Sequence, residues 1–168
     1  MSRIQWNERA TAAANASREL PRMMADYFHA VRDALRAKPS PASLHTIRLA
    51  SKKVRYTLEL FEPCYGAAFA ERMQALKDVQ TSLGDVNDAV AAERLLSDAM
   101  PQSARRKTLR AYLRKRAVEK AEEFRTHWTE RFDADGEERR WIEFLKKPRG
   151  APAERTKRAK TKARTAQG

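Results

Sequence analysis

His45, Arg48, Lys52 and Arg55 stand at i, i+3, i+7 and i+10 within LHTIRLASKKVRYTLELFE, residues 44–62. On a helix this spacing lines all four along one stripe, with Glu59 continuing it one turn on. Stacked cations repel one another by roughly 0.2–0.5 kcal/mol per exposed i,i+4 pair, a small cost unless an anion sits against them. Two chemistries fit. One is a solvated face with Glu59 and Glu62 as counter-charges. The other is a phosphate-binding row, in which Arg supplies forked donors, Lys a point charge, and His a donor strengthened by protonation. Spacing alone leaves both open.

A helix must carry this stripe, and its limits are well marked. Leu44, Ile47, Val54, Leu58 and Phe61 fall on one apolar arc at roughly 100° per residue, as a core-facing helix requires. Lys38 to Pro41 breaks the preceding segment, with Ser40 as N-cap and Pro41 at the first helical position. Pro63 and Gly66 mark the stop.

The remaining chain reads as further helices. Glu8 to Arg18 is Ala-rich, and Pro21 kinks it or begins a second helix running to Arg36, with Met24, Tyr27, Phe28, Val31 and Leu35 inward. A kinked or broken pair is expected there. Ala67 to Leu83 carries Phe69, Met73, Leu76, Gln80 and Leu83 and ends at Gly84, after which Asp85 caps a helix bearing Val86, Ala89, Val90 and Leu96, with Asp88 at its third position. Ser103 to about Phe132 forms a longer helix with Leu109, Tyr112, Leu113, Ala117, Ala121, Phe124 and Trp128 on its apolar side. Asp133 to Gly136 breaks it, and Glu137 to Leu145 presents Trp141, Ile142 and Leu145. The expected fold is all-α, an antiparallel helical bundle over residues 1–145 followed by a disordered basic tail over residues 146–168.

Composition agrees. The chain has 168 residues, 5 Gly and no β-branched runs, and its net charge of +13 implies a polyanionic partner: nucleic acid, anionic membrane or an inorganic phosphate polymer. The charge is uneven, because residues 146–168 hold nine Lys and Arg against one Glu. Cys64 is the only cysteine, so no intrachain disulfide forms, and a lone thiol beside a turn reads as structural and reduced. Neither a leader-like apolar region nor a stretch of ~20 apolar residues is present, making a cytoplasmic protein the default.

Enzyme chemistry finds no support in the residues. His29, His45 and His127 lie on three different expected helices without metal-ligand spacing, and there is no glycine-rich phosphate loop or nucleophile elbow. We expect no catalytic residues, no metal and no cofactor. Asp85 and Asp88 read as caps, His29 as a surface or boundary residue, and Trp6, Trp128 and Trp141 as core or interface anchors. No helix-turn-helix, zinc-finger or RNA-recognition pattern is legible either, so nucleic-acid binding, if it occurs, is expected to be nonspecific and to work mainly through the tail. The central helix could also lie on a membrane surface, but its apolar face is needed by its partners in the bundle.

The stretch LHTIRLASKKVRYTLELF, followed by LKDVQTSLGDVNDAVAAERLL, resembles the CHAD family, a helical domain named for its histidine. That family's signature is a histidine followed by spaced Arg and Lys on one helix, then an L-Q-x-x-L-G-x-x-x-D segment. The resemblance covers about Leu44 to Leu96 and extends weakly to Phe124–Trp128. His45 stands at the family histidine, Arg48, Lys52, Lys53 and Arg55 at the basic positions, and Gln80, Leu83, Gly84 and Asp88 at the second motif. It implies a helical bundle that binds inorganic polyphosphate along a basic channel without turning it over, in a cytoplasmic protein or one sitting on polyphosphate granules.

A full domain of that family has two pseudo-symmetric four-helix halves, each with a basic helix, whereas this chain carries the histidine helix once. The expectation is therefore a half-domain that forms a homodimer about a two-fold axis, with His45, Arg48, Lys52 and Arg55 of each copy facing a shared groove. Lys53 points well away from the stripe and is a peripheral contact, as is Lys77 on the next helix. Asp88 is expected to cap its helix or hold an arginine, since a carboxylate facing polyphosphate would repel it.

Overall fold

The structure is a computed structural model that describes residues 4–36 and 39–149. The helices are α1 (Ala12–Arg36), α2 (Pro41–Leu60), α3 (Ala68–Ala99), α4 (Ala104–His127) and α5 (Glu137–Leu145). A 3-10 turn (Glu62–Cys64) links α2 to α3, and a π-helical turn (Trp128–Phe132) ends α4. No strand occurs among the described residues. α1 packs on α2, α2 on α3 and α3 on α4, and α5 returns to lie against α1. The expected all-α bundle is what forms. Expectations for the segment from residue 150 onward lie outside the described residues.

The start of α2 follows from its own residues. The Ser40 side chain accepts from the Ser43 backbone N–H while the Ser43 side chain accepts from the Ser40 N–H, and Pro41 sits where no N–H is needed. Leu44, Ile47, Ser51, Val54 and Leu58 are buried along its inner face.

At Pro21 the chain does not break into two helices, which leaves the kinked form of that expectation, and the break expected at Gly84 does not occur. Residues 12–36 form a single helix with Pro21 inside it and buried. The lost hydrogen bond and ring clash cost about 3 kcal/mol. Leu20 before the proline, and Met24, Tyr27 and Phe28 after it, are fully buried in the same core, each contributing roughly 1.5–3 kcal/mol that a broken helix would forfeit. Residues 68–99 are likewise one helix running through Gly84. A helical Gly costs only about 1 kcal/mol, whereas Leu76, Val79, Leu83 and Val86 on either side share one buried face. Asp85 and Asp88 are therefore exposed mid-helix residues and cap nothing.

The aromatic core closes the bundle. Tyr27 and Phe28 of α1 meet Trp128 at 5.5 Å each between ring centroids, and Phe132 lies 4.9 Å from Trp128 and 5.7 Å from Trp141. The π turn serves this cluster, because widening it brings Phe132 back beneath Trp128 instead of letting it drift around the helix. Arg32 of α1 then grips both carboxylate oxygens of Asp133 through Nε and Nη2 and bonds Glu138 through Nη1, fixing the approach to α5. A second cluster stacks Tyr65, Phe69 and Phe144, with the Tyr65 hydroxyl donating to the Leu145 carbonyl at 2.7 Å.

One further expectation needs correction. Leu109 and Tyr112 are exposed, since the outer part of α4 packs on α3 alone and no other helix reaches that face. Trp6 is also half-exposed, resting with its ring centroid 6.0 Å from that of Phe61 at the bundle surface. Trp128, Trp141 and Cys64 are buried, and His29 is exposed beside Glu138.

One polar junction crosses the core. The Tyr27 hydroxyl lies 2.6 Å from Ser51 Oγ, which itself donates to the Ile47 carbonyl, so Tyr27 is the donor to Ser51. Burial pushes the Tyr27 phenol well above its ordinary range. Tyr27→Phe should cost about 1 kcal/mol in urea unfolding, the worth of one buried hydrogen bond, without altering the helical circular-dichroism spectrum.

Candidate anion-binding groove between two helices

The cation stripe of α2 lies along its boundary with α3, and α3 meets it with amides. Gln80 Oε1 accepts from Arg55 Nε at 2.8 Å, while Gln80 Nε2 donates to the Ser51 carbonyl at 2.8 Å. At the other end, His45 Nδ1 lies 3.2 Å from Asn87 Oδ1. An amide oxygen only accepts, so this contact is a hydrogen bond in the tautomer that carries its proton on Nδ1. Both ends of the stripe are thus fastened to one edge of α3.

Gly84 falls between these fastenings along α3. Its backbone is helical, and a Cβ added there would meet nothing within 4 Å. The missing side chain leaves α3 open between its contacts to Arg55 and to His45, the stretch of the stripe that holds Arg48 and Lys52 in sequence. Among the described residues neither Arg48 nor Lys52 makes an ion pair, nor does Lys53 on the outer face or Lys77 one turn before Gln80. Arg55 differs: it pairs with Glu59, stacks 4.4 Å over the Tyr56 ring and bonds Gln80, so its guanidinium is largely committed. The stripe residues therefore divide into Arg48 and Lys52, which have no carboxylate partner among the described residues, His45, which contacts Asn87, and Arg55, which is clamped by Glu59 and Gln80.

The sequence reading missed Arg94. It lines a cavity of about 380 Å³ with His45, Asn87, Leu83 and Val86, extending the cation row beyond its histidine end. Its signal was the spacing Gln80, Asn87, Arg94, two successive steps of seven along one helix edge, which the expected break at Gly84 concealed. The roles of Gln80 and Asn87 were also hidden. Each reads as an ordinary polar residue until α2 is laid against α3.

Among the described residues no group of three or more His, Cys, Asp or Glu is arranged to hold a metal ion, and no helix is long and apolar enough to cross a membrane.

The fold and groove define an all-helical domain whose histidine helix shows its cations against a Gln- and Gly-bearing partner. The CHAD domain family model matches residues 3–97, more than half of the chain, and the chain belongs to the CHAD domain family. The match takes in α1, which the residues quoted from the sequence did not include, and ends before α4 begins. No curated protein and no solved structure gives a significant match.

Gly84 separates stability from function. Gly84→Ala should raise stability by about 0.5–1 kcal/mol, because a helical glycine gives way to a better helix former in open space. If the groove holds a ligand, the added methyl narrows it, so thermal melting should rise while polyanion affinity falls in the same sample.

Proposed function

We propose that this protein binds inorganic polyphosphate without chemical turnover, as the CHAD family does in general, and that the α2–α3 groove is where it binds. The observation that carries the reading is the row of His45, Arg48 and Lys52, free of carboxylate partners among the described residues, on a helix whose neighbour α3 lacks a side chain at Gly84. A chain of phosphates supplies a repeating anion that offsets the repulsion within the row. His45 to Arg55 spans about 15 Å at 1.5 Å per residue, enough for several consecutive phosphates. Arg55, tied by Gln80 and Glu59, positions that end of the groove. Arg94 extends the far end, and Lys53 and Lys77 add peripheral charge. The residues supply cations and hydrogen-bond donors, which suit capture of a phosphate chain and not its cleavage.

The proposed assembly is a homodimer. Leu49, Tyr56 and Leu60 stand at i, i+7 and i+11 on α2 beside the cation row, and all three are more than half exposed. Such a strip on a single helix favours a second copy of itself across a two-fold axis, which would set two cation rows along one groove.

Charge reversal tests the site. Arg48→Glu with Lys52→Glu should lower affinity for long-chain polyphosphate about a hundredfold by isothermal titration, two charge-assisted contacts being lost. Deleting residues 150–168 should weaken binding only modestly. If the deletion abolishes binding and the charge reversal does not, the site is not in the groove.

The dimer is tested separately. Leu49→Asp with Leu60→Asp should yield a monomer in sedimentation equilibrium, still helical and still binding short polyphosphate, with reduced avidity for long chains.

A further inference from the structure

A second basic surface lies outside both the groove and the segment matched by the family model. Residues 105–116 at the start of α4 hold five Arg and two Lys and no acidic residue. This is the wrong end of a helix for cations, because the N-terminal turns carry the positive pole of the macrodipole. No residue of α4 before Phe124 is buried, so these cations are not there to cover a core.

Some have structural work. Arg106 donates to the Met100 and Ser97 carbonyls and closes the α3–α4 turn. Arg110 and Arg114 share Glu93, whose carboxyl is held below its ordinary range chiefly by Arg110. Lys115 pairs loosely with Glu119. Arg105, Lys107 and Arg116 have no carboxylate partner among the described residues.

The outward face of α4 has a definite pattern. Arg105, Leu109, Tyr112 and Arg116 fall at i, i+4, i+7 and i+11, forming one solvent-facing row in which Tyr112 is 57% exposed and Leu109 39% exposed. The row differs from that of α2. There, cations recur at every turn, as a continuous phosphate chain demands; here, two arginines about 16 Å apart bracket an exposed aromatic ring and an aliphatic side chain. An inorganic phosphate polymer has nothing apolar to place on Tyr112 and Leu109. A single nucleic-acid strand does, since its bases stack on aromatic rings while its phosphates meet flanking cations. A duplex keeps those base faces internal.

We propose that the outward face of α4 is a binding site for single-stranded nucleic acid, with Arg105 and Arg116 on phosphates and Tyr112 stacking a base. The site is independent of the polyphosphate groove. It assigns nucleic-acid binding to the folded domain, in place of the shape-indifferent attraction of a basic tail.

The test is fluorescence anisotropy on the full-length protein with labelled rU20, dT20 and a duplex of equal length, followed by polyphosphate titration of the same preparations. The wild type should prefer single strands over duplex, and the rU20 and dT20 arms show whether RNA or DNA is favoured. Tyr112→Ala should lose roughly fivefold or more in single-strand affinity, while Tyr112→Phe retains it. Arg105→Gln with Arg116→Gln should reduce the slope of log affinity against log salt by about 1.4, two phosphate contacts at about 0.7 each. Both variants should keep wild-type affinity for polyphosphate, which separates this proposal from the groove reading. Equal wild-type affinity for single strand and duplex overturns the proposal, as does an unchanged Tyr112→Ala variant or a parallel loss of polyphosphate binding. A shift from dimer to monomer in the arginine variant, with nucleic-acid affinity intact, would make this face a self-contact and likewise overturn it.

Discussion

Gln80 is the residue through which the core and the candidate site are joined. Its amide nitrogen donates to the Ser51 carbonyl and its amide oxygen accepts from Arg55, so one side chain ties α3 to α2 and orients a cation as well. Ser51 is bonded in turn to Tyr27, which extends the chain of polar contacts from α1 to the protein surface. In a low-dielectric interior such a network has to be satisfied throughout, since an unpaired buried group costs about 1–3 kcal/mol. The register of α2 against α3 is thereby restricted: a slide by one turn would leave Gln80, Ser51 and Arg55 without these partners and would carry His45 away from Asn87. Apolar packing alone tolerates more variation.

Within this constraint the stripe residues acquire different functions. Arg55 spends most of its hydrogen-bonding capacity on Glu59 and Gln80 and lies over Tyr56, which suits a positioning residue better than a mobile ligand clamp. Arg48 and Lys52 have no such commitments among the described residues. The repulsion retained there is small beside the stability of the bundle, so the fold can carry it as a standing preference for an anion. Gly84 makes a similar trade, costing about 1 kcal/mol of helix propensity and keeping the groove open.

Charge along α4 follows another logic. The charged residues of its first half are all basic, which opposes the macrodipole at the N-terminal end. Glu119, Glu122 and Glu123 enter its second half, and Arg125 and His127 close its last turn in the favourable sense. Local propensity does not explain that arrangement. Packing against α3 and the aromatic cluster at Phe124, Trp128 and Phe132 holds the helix in place, leaving its outer surface available for binding.

The sequence by itself determined the class of the fold, the start of α2 and the cation stripe, because caps, helical periodicity and charge spacing are local and are written within a few turns of chain. His45, Arg48, Lys52 and Arg55 were legible for that reason, as were the inward faces of α1, α2 and α5. Tertiary structure decided the rest. Helices run through Pro21 and Gly84 because the buried faces on either side contribute more than the breakers cost, a balance that local propensity does not contain. Leu109 and Tyr112 fit an apolar helix face in sequence, yet they stand in solvent because no neighbouring helix reaches that part of α4. The clamping of Arg55 by Gln80, the pairing of His45 with Asn87 and the arrival of Arg94 beside the histidine all join residues 25 to 49 positions apart. Such contacts depend on how two helices lie against each other, and only the packed bundle fixes that.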